Sequence, residues 1–344
     1  MSKVHGLTVG RGLRREVGQR VTLRTVATAL GLSVTTVSRA LKEGPEVNRE
    51  TIELVKRVAR ELGYRPNLGG INLRTGKTHA IGIVLPFGRE GEMNIVVASL
   101  IEGASRFMKA RGYRTTIVPQ LQADDPLATV RDIVEEGSVD GVIITHTTPQ
   151  DDRVKYLLEV GMPFVTFGRT ELLSAHPSID LDHEVIGAAA ARLLLDAGHA
   201  MPLLIAPSSQ FTYSLQFVRG WRRTFVERDF RVPDSFIHFT AVTPDNGREM
   251  AKRVAASHPE ATAAFVASEE AAQVGKDFAL IPYGGTALPD FFNPPLSTFY
   301  YSNHAIGERL AAFLHRAIAG ENPADLRDVV RAEFVDHQSQ LLPG

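Results

Sequence analysis

Cysteine is absent from the 344 residues, which excludes disulfide bonds and zinc or iron–sulfur sites with cysteine ligands. Long apolar runs are absent too: no stretch of about 18 apolar residues occurs, so we expect no membrane-spanning helix. The first twenty residues lack the apolar stretch that a secretion signal needs. These absences predict a cytoplasmic protein with no membrane partner.

Signatures of common enzyme and metal sites are also absent. The sequence has no G-x-S-x-G elbow, no P-loop, no G-x-G-x-x-G after its first strand and no H-E-x-x-H. The eleven histidines are scattered. His176 and His183 are seven positions apart, which is not a spacing typical of metal ligands, and isolated histidines are more often surface or packing residues. We therefore expect no metal, no cofactor and no enzymatic activity.

The net charge of −1 hides an asymmetry between the two ends of the chain. Residues 1–78 carry 15 Lys and Arg against 6 Asp and Glu, a balance of +9, and the remaining residues have a balance of −10. A basic N-terminal region on an acidic body is typical of a protein that contacts a polyanion at one end. A solvated basic surface without a partner is the alternative.

Three short helices are predicted near the N-terminus. Apolar residues recur at helical spacing in 23–30, 34–41 and 49–62. A residue suited to cap the helix precedes each segment, and these residues are Thr22, Ser33 and Asn48. Gly31 and Gly63 supply the left-handed conformation that ends the first and third helices.

A Gly-containing turn between two short helices is typical of a helix-turn-helix, whose second helix enters the major groove of DNA. The exposed edge of that helix is predicted to hold Val34, Thr35, Thr36, Ser38 and Arg39. Arg39 can bond a guanine edge through two N–H groups, and Val34 can contact a thymine methyl. A three-helix bundle with one polar helix and no DNA partner is the alternative.

Two segments of this region resemble the DNA-binding domain of the LacI/GalR regulators, almost continuously over about 45 residues. They are TLRTVATALGLSVTTVSRAL and VNRETIELVKRVARELGYRPN. In that family the residues matching Val34, Thr35 and Arg39 contact the operator bases. The resemblance, with the capping pattern, implies a set of DNA-binding residues: Thr22, Ser33, Val34, Thr35, Thr36, Ser38, Arg39, Asn48, Tyr64, Asn67 and Leu73.

Family members place a short hinge helix after this domain, and it inserts a leucine into the minor groove. Leu73 matches that leucine, and such a wedge unstacks a base step at a cost of a few kcal/mol, offset by the contacts of the bent duplex. Gly69 and Gly70 lie where helix formers are usual, and each costs about 1 kcal/mol of helix propensity. We expect a hinge that folds only on DNA; a plain flexible linker is the alternative.

Strand and helix patterns alternate through the rest of the chain, which predicts an α/β body with parallel sheets. The body resembles the two-lobed type I periplasmic-binding fold that the same family carries. The expected organisation is a disordered basic arm (1–19), a helix-turn-helix domain (20–66), a hinge (67–78) and an effector-binding and dimerisation domain (79–344).

Ligands of such folds bind in the cleft between the lobes, beside the carboxyl ends of the strands. The candidate effector-binding residues are Phe87, His146, Arg169, Asp182, Tyr213, Phe217 and Glu269. An Arg–carboxylate set with aromatic rings suits a sugar or polyol. For each residue alone, an interlobe salt bridge or a packing aromatic is the alternative.

Three segments, FGRTE, HPSIDLDHE and FTYSLQFVRGW, resemble a branch of the family associated with sugar uptake, especially of α-glucosides. Two departures concern the sugar contacts. Phe217 stands where many members have an arginine, and Tyr283 with the two following glycines stands where they have an aspartate. The usual hexose-binding set is therefore incomplete.

The segment between Glu269 and Phe278 is short. Eight residues separate the end of one predicted strand from the next, whereas a parallel crossover needs about ten to twelve. Either residues are absent from this sequence or the second lobe is built differently.

The resemblance implies a transcriptional repressor controlled by a small-molecule effector. Two copies of the DNA-binding domain on a palindromic double-stranded operator require a two-fold axis, so we expect a homodimer or a tetramer. The alternative is a cytoplasmic sugar-active enzyme or a solute-binding sensor on a doubly wound fold. Binding to a palindromic operator distinguishes these classes.

Overall fold

A computed structural model describes residues 21–64, 77–86, 95–121, 124–240, 244–268 and 278–341. It divides the chain into two compact units, Met1–Lys77 and Thr78–Gly344, which we call the head and the body. Across the described residues no helix is long and apolar enough to cross a membrane.

The head contains the three predicted helices: α1 (Leu23–Leu30), α2 (Val34–Leu41) and α3 (Arg49–Leu62). The predicted cap residues are confirmed, because the side chains of Thr22, Ser33 and Asn48 each accept a hydrogen bond from a backbone N–H in the first turn. Gly31 and Gly63 end their helices with φ of +64° and +71°. Small and β-branched residues form the shared core: Val26, Ala27, Val37, Ala40, Val55 and Ala59.

The body has two lobes, each built on a six-stranded sheet. The first lobe contains β1 (Ala80–Pro86), α4 (Ile95–Lys109), β2 (Arg114–Gln120), α5 (Pro126–Glu135), β3 (Gly141–Ile144), α6 (Asp152–Val160), β4 (Phe164–Phe167), β5 (Ser178–Leu181), α10 (Asn303–Ile318) and β11 (Arg327–Val330). Its strand order is β11-β5-β4-β3-β1-β2, and all of these pairs are parallel.

The second lobe contains α7 (His183–Asp196), β6 (Leu203–Ala206), α8 (Thr212–Val226), β7 (Ile237–Phe239), α9 (Pro244–Ser257), β8 (Ala263–Val266), β9 (Ala279–Gly284), β10 (Thr298–Tyr300) and β12 (Glu333–Val335). The order is β12-β10-β9-β8-β6-β7. These pairs are parallel except for β12, which runs antiparallel to β10.

Two strands of the body were missed by the sequence prediction. These are β5 and β11, and β11 pairs in the first sheet whereas β12 pairs in the second. Helix α10 packs on α4 and on β3, β4 and β5, so the chain returns to the first lobe after β10. The local pattern predicts strands and helices, whereas long-range pairing decides which sheet each strand joins.

Strands β8 and β9 pair in parallel, with Val266 opposite Pro282. The second lobe therefore keeps its parallel strand order across the connection that the sequence analysis found to be short for a parallel crossover. Residues 269–277 of this connection lie outside the described residues.

Helices α7 and α8 approach closely because each has a glycine at the contact. A Cβ on Gly187 would lie 2.4 Å from the carbonyl oxygen of Phe217, and one on Gly220 would lie 1.8 Å from that of Glu184. Neither distance is possible for a real side chain. The two glycines thus place the first turn of α7 directly against α8.

Candidate DNA-binding surface and effector site

The exposed edge of α2 carries the predicted base-contacting residues. Val34 is 42% exposed, and Thr35 and Arg39 are exposed as well. Thr36 and Ser38 are half-buried. The edge combines an apolar group, hydroxyls and a guanidinium, the groups that contact thymine methyls, phosphates and guanine edges.

Three of the other predicted DNA-binding residues cap the helices. Ser33 Oγ accepts from Thr36 N–H at 3.0 Å and lies 2.8 Å from Thr36 Oγ1, and Asn48 Oδ1 accepts from Thr51 N–H at 2.7 Å. Thr22 Oγ1 accepts from Thr25 N–H at 3.3 Å. A helix N-terminus also favours phosphate, so a capping role is compatible with contact to the DNA backbone.

Of the remaining predicted residues of the head and hinge, the structure describes only Tyr64. Tyr64 packs against the core of the head and its N–H donates to the carbonyl of Ala59 at 2.8 Å. Asn67, Leu73 and the basic arm lie outside the described residues.

In the body, the structure brings His146 and Tyr213 together from the two lobes. The ring centroids of His146 and Tyr213 are 6.2 Å apart, and Phe211 lies 5.4 Å from His146. Phe211 and Tyr213 stack almost in parallel, 5.5 Å apart and at 6°. These rings, which we call the aromatic wall, lie where the two lobes meet, and most of them come from the start of α8.

The backbone of His146 is held by a buried ion pair. Arg153 bonds Asp151 at 2.7 Å and donates to the carbonyls of Thr145 and His146 at 3.2 and 3.0 Å. His146 has φ of +54°, a conformation that side chains rarely adopt. Burial, together with the charge of Arg153, lowers the pKa of His146 to about 4, so its ring is neutral at pH 7.

His183, the first residue of α7, is the centre of a buried polar cluster. Its Nδ1 lies 3.3 Å from Gln216 Oε1 and 3.4 Å from Asp180 Oδ1, and its Nε2 lies 3.0 Å from Tyr283 Oη. Nδ1 thus faces two oxygens and Nε2 faces one hydroxyl, so both ring nitrogens have a hydrogen-bonding partner. The ring of Phe217 is 4.9 Å away.

Asp180 links this cluster to Arg169, whose Nε donates to Asp180 Oδ2 at 2.6 Å. Burial alone would raise the pKa of Asp180, but the hydrogen bonds and charges of His183 and Arg169 together keep it below its usual range. Burial raises the pKa of Tyr283, with Tyr301 contributing. At pH 7 the Tyr283 hydroxyl is therefore neutral and the Asp180 carboxylate is ionised.

Polar contacts join the two lobes beside this cluster. The carbonyl of Thr147 accepts from Thr212 N–H at 2.9 Å, and Arg219 Nη1 donates to Glu171 Oε1 at 2.8 Å. The first bond is buried and the second lies on an exposed rim. The two lobes therefore contact each other directly beside the aromatic wall.

The predicted effector residues are thus only partly brought together. His146, Tyr213, Phe217 and Arg169 line one connected region, whereas Asp182 caps α7 by accepting from Val185 N–H at 3.3 Å. Phe87 and Glu269 lie outside the described residues.

Sequence reasoning missed Asp180, His183, Gln216, Tyr283 and Tyr301 as members of the cluster. One signal could have found Asp180: it is the single charged residue in the segment SIDL, all of whose residues are buried. A buried carboxylate requires partners. His183 had no such signal, because two of its three partners, Gln216 and Tyr283, are distant in sequence.

Comparisons with known proteins give consistent matches over both units. Residues 22–67 match the family described as bacterial regulatory proteins, lacI family, and residues 78–284 match periplasmic binding proteins and sugar binding domain of LacI family. The HTH-type transcriptional regulator AglR of Rhizobium meliloti (strain 1021) is 31% identical over 92% of this chain and 93% of its own length.

Two solved structures share the fold. A lac repressor dimer bound to operator and the anti-inducer ONPF superposes with a TM-score of 0.81 at 18% identity, covering 94% of this chain and all of that one. A complex of the transcriptional regulator CelR with cellobiose has a TM-score of 0.69 at 22% identity, covering 93% of this chain and all of that one. At these identities the likeness concerns the fold alone.

Proposed function

Because the chain belongs to the LacI family of bacterial regulatory proteins, we propose that it is a sequence-specific transcriptional repressor whose operator affinity is controlled by a sugar bound in the body. The observation that supports this proposal best is the exposed edge of α2, where Val34 and Arg39 present an apolar group and a guanidinium on a short capped helix. The related proteins are regulators and not enzymes.

The base-contacting residues are Val34, Thr35 and Arg39 in this proposal. The helix caps Thr22, Ser33 and Asn48 bring N-termini and hydroxyls to the phosphates. The hinge over 67–78, with Leu73 as its wedge, connects the DNA-binding domain over 20–66 to the effector domain over 79–344. A protein that binds operator DNA works in the cytoplasm of a bacterium.

The charges of the effector site suggest a neutral ligand. Among the described residues of the site, Arg169 is paired with Asp180 and Arg153 with Asp151. No cation there is left over for a phosphate or a carboxylate in the residues that the structure describes. Aromatic rings and neutral hydrogen-bonding groups such as Tyr213, and the CelR–cellobiose complex among the relatives, favour a sugar.

In the mechanism that we propose, the sugar binds between the lobes of each protomer of a homodimer. Closure of the lobes changes the distance between the two heads and alters operator affinity by a coupling of about 1–3 kcal/mol. The contacts of Thr147 with Thr212 and of Glu171 with Arg219 would form or break in that movement.

Selection of a randomised DNA duplex on the purified protein tests DNA binding. We expect an enriched palindrome, and Arg39→Ala should remove the base preference while leaving sugar binding intact. Enrichment of no sequence would contradict the proposal. Loss of both DNA and sugar binding in Arg39→Ala would indicate misfolding of that variant rather than a role in base contact.

A thermal-shift screen against sugars and polyols tests the effector. A sugar at a hundredfold excess over its Kd should stabilise the body by about 2.7 kcal/mol. Trp221, the single tryptophan of the chain, stacks on Phe265 one turn beyond Phe217, so its fluorescence should change on binding. A sugar that stabilises the body without changing affinity for the selected operator would contradict regulation.

A further inference from the structure

Arg39 of α2 forms an ion pair with Glu46, which lies in the turn between α2 and α3. Arg39 Nε is 3.2 Å from Glu46 Oε1, and the two side chains are 57% and 47% exposed. The contact uses the Nε side of the guanidinium. The guanidinium carries further N–H groups on its two Nη atoms, and these can bond a base edge.

The backbone under Glu46 is fixed relative to Arg39. The N–H of Gly44 donates to the carbonyl of Arg39 at 3.0 Å, and the N–H of Val47 donates to that of Gly44 at 3.0 Å. Val47 packs against the core of the head, and Pro45 restricts the chain before Glu46. The turn therefore moves as one body with α2.

The side chain of Glu46 folds back over this turn. A Cβ on Gly44 would lie 3.0 Å from Glu46 Oε2, so the carboxylate occupies space that only a glycine leaves open without a shift. It thus reaches Arg39 across the turn instead of extending into solvent.

We propose that Glu46 is a positioning residue for base recognition: it holds the guanidinium of Arg39 by its Nε side so that both Nη atoms face the edge of a guanine. This inference rests on the proposed function, in which Arg39 contacts a base. Glu46 itself contacts no base in this proposal, and its effect on sequence preference passes through Arg39.

The physical reason is preorganisation. A free arginine side chain loses rotamer freedom when it forms two hydrogen bonds with a guanine, and an orientation already set by a carboxylate reduces that loss. An exposed ion pair contributes little to the folded head by itself, so its role concerns the bound state. In the complex with DNA the ion pair is shielded from water, so the attraction between its two charges is stronger.

The same carboxylate also repels the phosphates of every duplex. Removing its charge should therefore raise the affinity for non-specific DNA, while the preference for guanine falls. These opposite changes distinguish positioning from a general electrostatic effect, which would change both affinities by the same factor.

Glu43 provides a matched control. It lies in the same turn, carries the same charge and is exposed, but its partner is Lys56 of α3 rather than Arg39. Glu43→Gln and Glu46→Gln each remove one carboxylate from this same turn.

The test measures the binding of both variants to two duplexes, the sequence selected by the natural protein and the same sequence with the guanine assigned to Arg39 replaced. We expect Glu46→Gln to reduce the ratio of the two affinities by about fivefold or more, and Glu43→Gln to leave it within about twofold. Adding Glu46→Gln to Arg39→Ala should produce no further loss of ratio.

An unchanged ratio in Glu46→Gln, or an equal fall in Glu43→Gln, would overturn the positioning role. A ratio that rises in Glu46→Gln would overturn it too, because Glu46 would then compete with the base for Arg39. If the natural protein shows no base preference, the proposed function itself is wrong, a result distinct from these.

Discussion

Tyr283 and His183 lie a hundred residues apart in the sequence, and the hydroxyl of the first lies 3.0 Å from Nε2 of the second. Both side chains are buried, and their rings meet at 70°. The bond ties the end of β9 to the start of α7. Because Asp180 contacts the other nitrogen of His183, this relationship connects the tyrosine to the first lobe as well.

Tyr283→Phe tests this bond. The change removes one oxygen and leaves His183 Nε2 without its partner, which should lower the free energy of unfolding by about 1–2 kcal/mol. We also expect a weaker response to sugar, measured by Trp221 fluorescence. Tyr300→Phe, at an exposed tyrosine of β10, is the control and should change neither quantity. An unaltered urea midpoint in Tyr283→Phe would contradict the inferred bond.

Stability should fall between pH 6.5 and pH 4 in part because of His146. Its pKa is lowered from 6.5 to about 4 in the folded chain, so below pH 6.5 the unfolded chain binds a proton that the folded chain does not. The loss should approach about 3 kcal/mol at the acidic end. Urea unfolding at several pH values measures it.

His146→Gln is the comparison for that pH series, since glutamine does not titrate. His176 and His238 also have pKa values lowered by burial, so both proteins should lose stability on acidification. The natural protein should lose more. Parallel curves for the two proteins would show that His146 is not buried as described.

Arg219→Ala should affect closure of the lobes rather than folding. The ion pair with Glu171 is exposed and is expected to contribute less than about 1 kcal/mol to stability. It joins the lobes, however, so its loss should lower sugar affinity a few-fold. Arg222→Ala on the same helix, whose partner Asp234 lies in the same lobe, should leave sugar affinity unchanged. Equal effects of the two substitutions would argue against an interlobe role.

Gly220→Ala should destabilise the body strongly. The added Cβ would lie 1.8 Å from the carbonyl oxygen of Glu184, so α7 and α8 must separate. Overpacking of this kind costs about 1–3 kcal/mol or more. Chemical unfolding measures the cost, and a midpoint equal to that of the natural protein would mean that the helices are not in the contact described.

Within the head, local sequence was sufficient for the structure. The cap residues Thr22, Ser33 and Asn48 and the glycines Gly31 and Gly63 begin and end the helices as predicted, because capping and left-handed conformation depend on residues within one turn. The alternation of helix and strand in the body follows from the same local patterns.

The tertiary structure decided what depends on distant partners. It assigned β11 and β12 to different sheets and returned α10 to the first lobe, since strand pairing joins segments that no local pattern relates. It also made Asp180 rather than Asp182 the acidic member of the candidate effector site. Asp180 is enclosed beside Arg169 and His183, whereas Asp182, two residues later, caps a helix. The sequence by itself determined the family and the exposed edge of α2, whereas only the fold decided which side chains meet in the candidate effector site.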